Sequence, residues 1–86
     1  MATEEKVGVV TDYYAKLGVA GISLTEGPLQ VGDSIRIRGH STDFTQEVES
    51  MQIEHAPVQR AERGGEVAVK VRERVRRNDH VFRLRE

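Results

Sequence analysis

The stretch of residues 29–39 constrains the fold more than any other part of the chain, because it joins a tight turn to a strictly alternating segment. Gly32 can adopt a positive φ without a Cβ clash, and Asp33 can hydrogen-bond back onto nearby backbone. Residues 34–38 then alternate isoleucine with arginine, and successive side chains of a strand point to opposite faces. The stretch therefore predicts a turn followed by a half-buried strand.

A second segment repeats this arrangement. Residues 63–66 read Arg-Gly-Gly-Glu, and residues 67–72 alternate valine with alanine, lysine and arginine. Two glycine-acid turns that each start an alternating strand predict an all-β domain. The 86 residues suffice for one domain, and with no tryptophan the core must be built mainly from aliphatic side chains. Closing a small barrel is a natural way to bury them.

The turn signals divide the chain into six antiparallel strands. We predict a small closed or nearly closed β-barrel over residues 6–86, preceded by a disordered tail at residues 1–5. The predicted strands are residues 6–14, 19–24, 34–38, 44–55, 66–72 and 80–85. A bulge is expected at residues 49–50, because the apolar positions of the long fourth strand change parity there. Pro57 makes residues 56–62 an extended connection rather than a central strand.

Charge is distributed unevenly along the chain, although the total is only −1. Residues 1–59 carry four basic and nine acidic side chains, a net of −5, whereas residues 60–86 carry nine basic and five acidic ones, a net of +4. There is no cysteine, which excludes disulfides and thiolate sites. The N-terminal residues lack the features of a signal peptide, and no apolar run approaches the length of a membrane span. We therefore expect a cytoplasmic protein with no membrane partner.

The basic residues of the C-terminal third are the strongest candidates for a binding site. Residues at even spacing share one face of a strand, so the even-numbered basic residues from 70 to 76 are predicted to form a basic face. The candidate nucleic-acid-binding residues are Lys70, Arg72, Arg74, Arg76, Arg77, Arg36 and Arg38. Such a face suits RNA phosphates, which give affinity more than sequence specificity. The alternative interpretation is a solvated strand face balanced by neighbouring acids.

No combination of residues predicts a catalytic site, a metal site or a cofactor. The three histidines, His40, His55 and His80, lie beside turns or strand ends and share no ligand motif. Residues 40–43 contain the residue types of a hydrolytic triad, but triad members converge from separate segments. The tyrosines at residues 13–14 lack the spacing of a base-stacking platform. We expect that the chain is not an enzyme in its own right.

Five turn-and-strand segments follow one another in a fixed order along the chain. They are residues 8–10 (Gly-Val-Val), 29–39, 48–53 (Val-Glu-Ser-Met-Gln-Ile), 61–69 and 75–81. Together they resemble the β-barrel that forms the second domain of translational GTPases such as elongation factor Tu and elongation factor G. The resemblance covers residues 6–85 and implies a stand-alone elongation factor-like protein. Asn78 stands where that family has glycine, which asparagine can replace because it tolerates left-handed backbone.

The resemblance implies a non-enzymatic binding module that contacts ribosomal or transfer RNA, or a ribonucleoprotein. The chain has no P-loop, so it is not expected to bind a nucleotide by itself. Glu66 matches an acidic residue near the terminal adenosine of transfer RNA in elongation factor Tu, although a turn residue paired with an arginine is the favoured interpretation. A related barrel is an accessory module at the C-terminus of some collagenase-like peptidases. The alternative function is therefore a protein–protein adaptor for a separately encoded peptidase-like or GTPase subunit, with an exposed apolar patch or an open sheet edge.

Overall fold

The structure, a computed structural model, describes residues 3–85, and this part of the chain is all-β. Its ten strands are β1 (Thr3–Tyr14), β2 (Val19–Ser23), β3 (Leu29–Gln30), β4 (Ser34–Arg38), β5 (Asp43–Glu47), β6 (Met51–Ile53), β7 (Ala56–Val58), β8 (Arg60–Ala61), β9 (Glu66–Lys70) and β10 (His80–Arg85). Eight of them form one sheet in the order β5-β4-β10-β1-β2-β9-β6-β7, while β3 and β8 form a two-stranded ribbon. Within residues 3–85 no helix is long and apolar enough to cross a membrane.

Burial confirms the alternation that was predicted from the sequence. Ile35 and Ile37 on β4 are fully buried, and so is Val69 on β9, whereas the arginines of β4 lie on the opposite face. The buried apolar side chains form a single cluster, to which both the main sheet and the ribbon contribute. One sheet supplies most of this core, so the sheet must curl around it. Phe44, which is 8% exposed, is the aromatic ring in an otherwise aliphatic cluster.

Three tight turns share one geometry and lead into the strands. In residues 30–33, 62–65 and 76–79, the backbone N–H of the last residue donates to the carbonyl of the first at 3.1 Å. The third residue of each turn has a positive φ, which is 97° at Gly32, 94° at Gly64 and 76° at Asn78. Glycine adopts this conformation without a Cβ penalty, and asparagine tolerates it better than most residues. The left-handed backbone predicted at Gly32 and Asn78 is therefore confirmed.

An aspartate closes two of these turns from the other side. Asp33 Oδ2 accepts a hydrogen bond from the backbone N–H of Gln30 at 3.0 Å. Asp79 Oδ2 accepts the equivalent bond from the N–H of Arg76 at 2.9 Å. The predicted back-bonding of Asp33 is thus confirmed, and the turn at residues 76–79 repeats it.

The prediction of a closed barrel of six strands is wrong. The predicted strand at residues 44–55 is divided into β5 and β6, and residues 54–55 have positive φ angles that turn the chain into β7. Residues 56–62, predicted as a connection, contain β7 and β8. The sheet is not closed, because β5 and β7 stand at its opposite ends. Pro57 lies in β7, an edge position where the missing N–H of proline is tolerated.

The predicted bulge at residues 49–50 is instead a break between β5 and β6. Gln46 and Val48 are buried, the next two residues are exposed, and Met51 is again buried at 2% exposure. Met51 therefore returns to the core side, although the ladder is interrupted before it. The interruption arises because Val48 bonds to the turn at residues 32–33, donating to one carbonyl at 2.8 Å and accepting from one N–H at 2.9 Å.

The long strand β1 starts beside the last described residues of the chain and ends in the hairpin that leads into β2. It pairs with β10, and Thr3 is opposite Arg85. Residues 3–5, predicted as part of a disordered tail, therefore belong to a strand, whereas Met1 and Ala2 lie outside the described residues. At its other end β1 reaches Tyr14 and turns into β2.

The side chain of Gln46 links β5 to the end of β9, where the two strands share no ladder. Gln46 is 6% exposed. Its amide Nε2 donates to the carbonyl of Lys70 at 2.8 Å, and its Oε1 accepts from the N–H of Arg72 at 2.8 Å. One side-chain amide therefore satisfies the donor and the acceptor that a paired strand would satisfy.

We expect the substitution Gln46→Met to lower the free energy of unfolding by about 2 kcal/mol, because a part-buried N–H and a part-buried carbonyl both lose their partner. Methionine keeps a similar length but offers neither a donor nor a strong acceptor. Urea unfolding followed by circular dichroism measures the change. Gln59→Met, at an exposed glutamine, is the matched control. Equal stability of the two variants would contradict the role assigned to Gln46.

Candidate interaction surface

The basic residues predicted as one strand face do not lie on one strand. β9 ends at Lys70, and residues 71–79 form an irregular connection to β10. Val71 and Val75 are buried and anchor this connection, while the arginines at positions 72, 74, 76 and 77 are exposed on it. The predicted strand stops because Glu73 occupies the position at which continued alternation would require an apolar side chain. Even spacing therefore does not produce a common face here.

The two arginines of β4 lie elsewhere and are engaged in ion pairs. Arg36 makes two hydrogen bonds of 2.8 Å to the carboxylate of Asp43 and one of 2.7 Å to Glu4. The hydrogen bonds from Arg36 lower the pKa of Asp43, and the same bonds raise the pKa of the guanidinium. Arg38 lies 3.8 Å from Glu4 and stacks over the ring of Phe82, 4.7 Å from its centroid. These contacts hold both arginine side chains against the surface of the sheet.

Two arginines of the connection also have partners in the protein. Arg72 contacts Glu49 at 3.1 Å, and Arg77 Nε donates to the carbonyl of Thr11 at 3.1 Å. The predicted basic face is thus divided between β4, the end of β9 and the connection. Within residues 3–85, no three histidine, cysteine, aspartate or glutamate side chains are placed to hold a metal ion.

Acid should destabilise the fold partly through Asp43. Because its pKa is lower in the folded state than in the unfolded chain, its ion pair contributes stability above the unfolded pKa, and this contribution is lost as the pH falls through the folded pKa. We expect Asp43→Asn to reduce the loss of unfolding free energy between about pH 5 and pH 2. Urea unfolding over this range measures the loss. Glu73→Gln is the control, and the same acid profile in all three proteins would contradict the prediction.

A shallow hollow lies on the outer face of the sheet, and we call it the outer trough. Its floor is a cross-strand row in which Gly21 of β2 is opposite both Asp12 of β1 and Ala68 of β9, and Ala68 is opposite Gln52 of β6. Gly21 has no side chain and Ala68 has only a methyl group, so the surface is lowest at the centre of this row. The hollow has a volume of about 550 Å³.

Exposed apolar side chains flank one end of the outer trough. Tyr14, at the end of β1, is 49% exposed, and Leu17, in the hairpin that follows, is 70% exposed. A second hollow of about 260 Å³ adjoins this end and shares Leu17 and Ala68 with the first. Both hollows are lined by residues of β2, β9 and β6.

The charged lining of the outer trough is acidic. Its carboxylates are those of Asp12, Glu54 and Glu66, and His55 lies beside them. None of the three carboxylates forms an ion pair within the described residues, whereas Glu4, Glu5 and Asp43 do. The trough therefore combines apolar surface with three carboxylates that form no ion pair among the described residues.

Sequence reasoning missed this surface, although one signal for it was present. Residues 20 and 21 are small, which is typical of a bulge or a close backbone approach, and β1 does shift register opposite Gly21. A Cβ at this position would lie 3.3 Å from Thr11 Oγ1. The signal of Ala68 appears only when β2 and β9 are known to be neighbours, because its partner is 47 residues away in the chain.

No protein-family model matches the chain. It is 42% identical, over 94% of its length, to an uncharacterized protease of Methanocaldococcus jannaschii, and 36% identical, over 96% of its length, to a collagenase of Porphyromonas gingivalis. It spans about a fifth of the length of these relatives, 20% and 21%. Among solved structures, the C-terminal domain of a Geobacillus thermoleovorans putative U32 peptidase is similar with a TM-score of 0.85 and 22% identity. This likeness covers 92% of the chain and 91% of that domain, and shows that the fold is shared.

These comparisons correct the assignment to the elongation factors. The relatives are a protease and a collagenase, and the structural neighbour is a peptidase domain. The prediction of a stand-alone elongation factor-like protein that binds RNA in translation is therefore wrong. The residues that resemble the elongation factors form turns and strand starts. Such residues specify the turns of a small β-fold and carry no information about its ligand. The comparisons favour the alternative, an adaptor for a separately encoded peptidase-like or GTPase subunit, in its association with a peptidase.

Proposed function

We propose that the chain is a non-catalytic accessory module of the U32 peptidase and collagenase type, which binds a peptidase-like protein. The observation that carries the proposal is that nearly the whole chain matches only a fifth of each larger relative. A sequence that recurs as one part of proteases, with the fold of a peptidase C-terminal domain, is expected to work beside a catalytic region. The absence of cysteine suits a cytoplasmic location, which we include in the proposal.

The distribution of functional side chains supports a binding role over a catalytic one. His40, His55 and His80 are all exposed and lie in different parts of the fold. His40 and Asp43, the residues of the triad-like turn, point to no shared site, because Asp43 is paired with Arg36. The apolar and acidic outer trough, by contrast, offers a surface suited to a protein partner.

We expect this chain to bind a relative from which the matching region has been deleted. The test uses the Methanocaldococcus jannaschii protease and the Porphyromonas gingivalis collagenase, each in full-length and deleted form. The deleted proteins should bind the added chain with a Kd of about 1 μM or tighter in calorimetry. The full-length proteins are the matched control and should bind weakly, because their own module fills the position. Absence of binding to both deleted proteins, when circular dichroism shows them folded, would contradict the proposal.

We further expect no peptide-bond hydrolysis by the purified chain alone. Labelled casein and gelatin, followed by fluorescence release, provide the measurement. Double substitution of His40 and Asp43 to alanine is the control for trace protease. Turnover that disappears in this variant would show an intrinsic activity and refute the non-catalytic role.

A further inference from the structure

We propose that the outer trough binds a segment of the partner protein in which a large apolar side chain is flanked by lysine or arginine. The identity of the partner as a peptidase-like protein rests on the proposed function above. The chemistry of the segment rests only on the shape, apolar surface and charge of the trough. Three observations carry it.

The shape of the trough suits a protruding side chain. Its floor crosses four strands, β1, β2, β9 and β6, at a spacing of about 4.8 Å, so the trough is about 14 Å wide. Its volume of about 550 Å³ lies in the range of roughly 300–1,000 Å³ found for ligand sites. The low centre at Gly21 and Ala68 admits a side chain from above, whereas the ladders beneath leave no free backbone groups for strand addition.

The apolar surface of the described chain is concentrated at this place. Tyr14 and Leu17 are the large hydrophobic side chains that residues 3–85 leave exposed, and both line the trough. Exposed apolar surface that is contiguous and bordered by polar groups marks interaction sites. An apolar side chain seated between Leu17 and Ala68 would remove this surface from water.

The charge of the trough selects the residues beside that apolar side chain. Asp12, Glu54 and Glu66 border it without an ion pair among the described residues, so a lysine or arginine on the side of the apolar group that faces them would meet an acidic partner. Lys70 is opposite Val19, which is opposite Tyr14, and places one positive charge at the apolar end. Nucleic acid is disfavoured because its phosphates would face carboxylates.

A second copy of this chain is a poor occupant. One basic segment, the connection at residues 71–79, has its apolar residues Val71 and Val75 buried. The other, residues 83–85 of β10, places Leu84 between two arginines, but both arginines are paired with Glu5 and the strand lies between β4 and β1. Neither segment is free to enter the trough of another copy. A partner of different sequence has to supply the combination.

The first experiment needs no natural partner. The ¹⁵N-labelled chain is titrated with the acetylated and amidated peptide Lys-Leu-Lys-Leu-Lys, and the amide signals of Gly21 and Ala68 are followed. They should shift, whereas the peptides Lys-Ser-Lys-Ser-Lys and Glu-Leu-Glu-Leu-Glu should leave them unchanged. No shift, or an equal shift with the serine peptide, would overturn the proposal. A shift of these amides with protein concentration alone would also overturn it, because the occupant would then be a second copy.

Variants then locate the binding. Ala68→Arg fills the floor and adds a positive charge, so it should weaken peptide binding about tenfold or more. Ser34→Arg is the matched control, because Ser34 is an exposed strand position on β4, opposite Glu47 and outside the trough. The double variant Asp12→Asn and Glu66→Gln keeps the shape and should weaken binding and reduce its salt dependence. Unchanged affinity in this double variant would refute the role of charge, even if Ala68→Arg failed to fold.

The same variants separate this inference from the proposed function. If the deleted relatives bind Ala68→Arg and Ser34→Arg equally well, the accessory role holds and the trough is excluded as the docking site. If the peptide binds at the trough but the deleted relatives bind no form of the chain, the trough is supported and the peptidase-like partner is wrong. Loss of binding to the relatives in Ala68→Arg alone supports both.

Discussion

The fold depends on how the buried amide of Gln46 is used. β5 is held by β4 on one side, and on its other side it meets the end of β9 without a ladder. The amide bridges this gap with one donated and one accepted hydrogen bond, both 2.8 Å long. Since the break at residues 48–50 prevents a continuous strand from β5 into β6, this contact keeps the curled sheet around its core. The bond from Arg72 also fixes the start of the connection at residues 71–79, which contains four of the exposed arginines.

Much of the fold could be predicted because its turns are specified by the residue types within them. The residue types at Gly32, Asp33 and Asn78 predict the conformation of their turns. The alternation of apolar and polar side chains after each turn identifies the buried face. The exceptions depend on contacts that are distant in sequence. Gln46 has the parity of a core residue, but its role requires the neighbouring positions of Lys70 and Arg72 to be known. The interruption between β5 and β6 likewise depends on the bonds between Val48 and the turn at residues 32–33.

The candidate site was harder to predict than the fold. The basic residues formed a conspicuous pattern, yet Glu73 in the place of an apolar residue already indicated that the strand ends before them. The outer trough exists because large side chains are absent from its floor, which consists of a glycine and an alanine. These two residues lie on strands that become neighbours only in the folded chain. The turn motifs that resemble elongation factors fit many small β-folds, because positive φ and aspartate back-bonding are demands of geometry. They carry little information about a partner.

The pairing of Thr3 with Arg85 has a consequence for how the module can be attached to other chains. Both ends of the described chain lie side by side at one end of β1, and the outer trough lies near the other end, around Tyr14. Asp12 in the floor of the trough follows Thr3 by nine residues, so at about 3.3 Å per residue the two places lie about 30 Å apart along β1, in a molecule whose longest dimension is 35 Å. A chain joined at either of these ends would therefore begin at the opposite end of β1 from the trough. The attachment point and the proposed binding surface are separate parts of the fold.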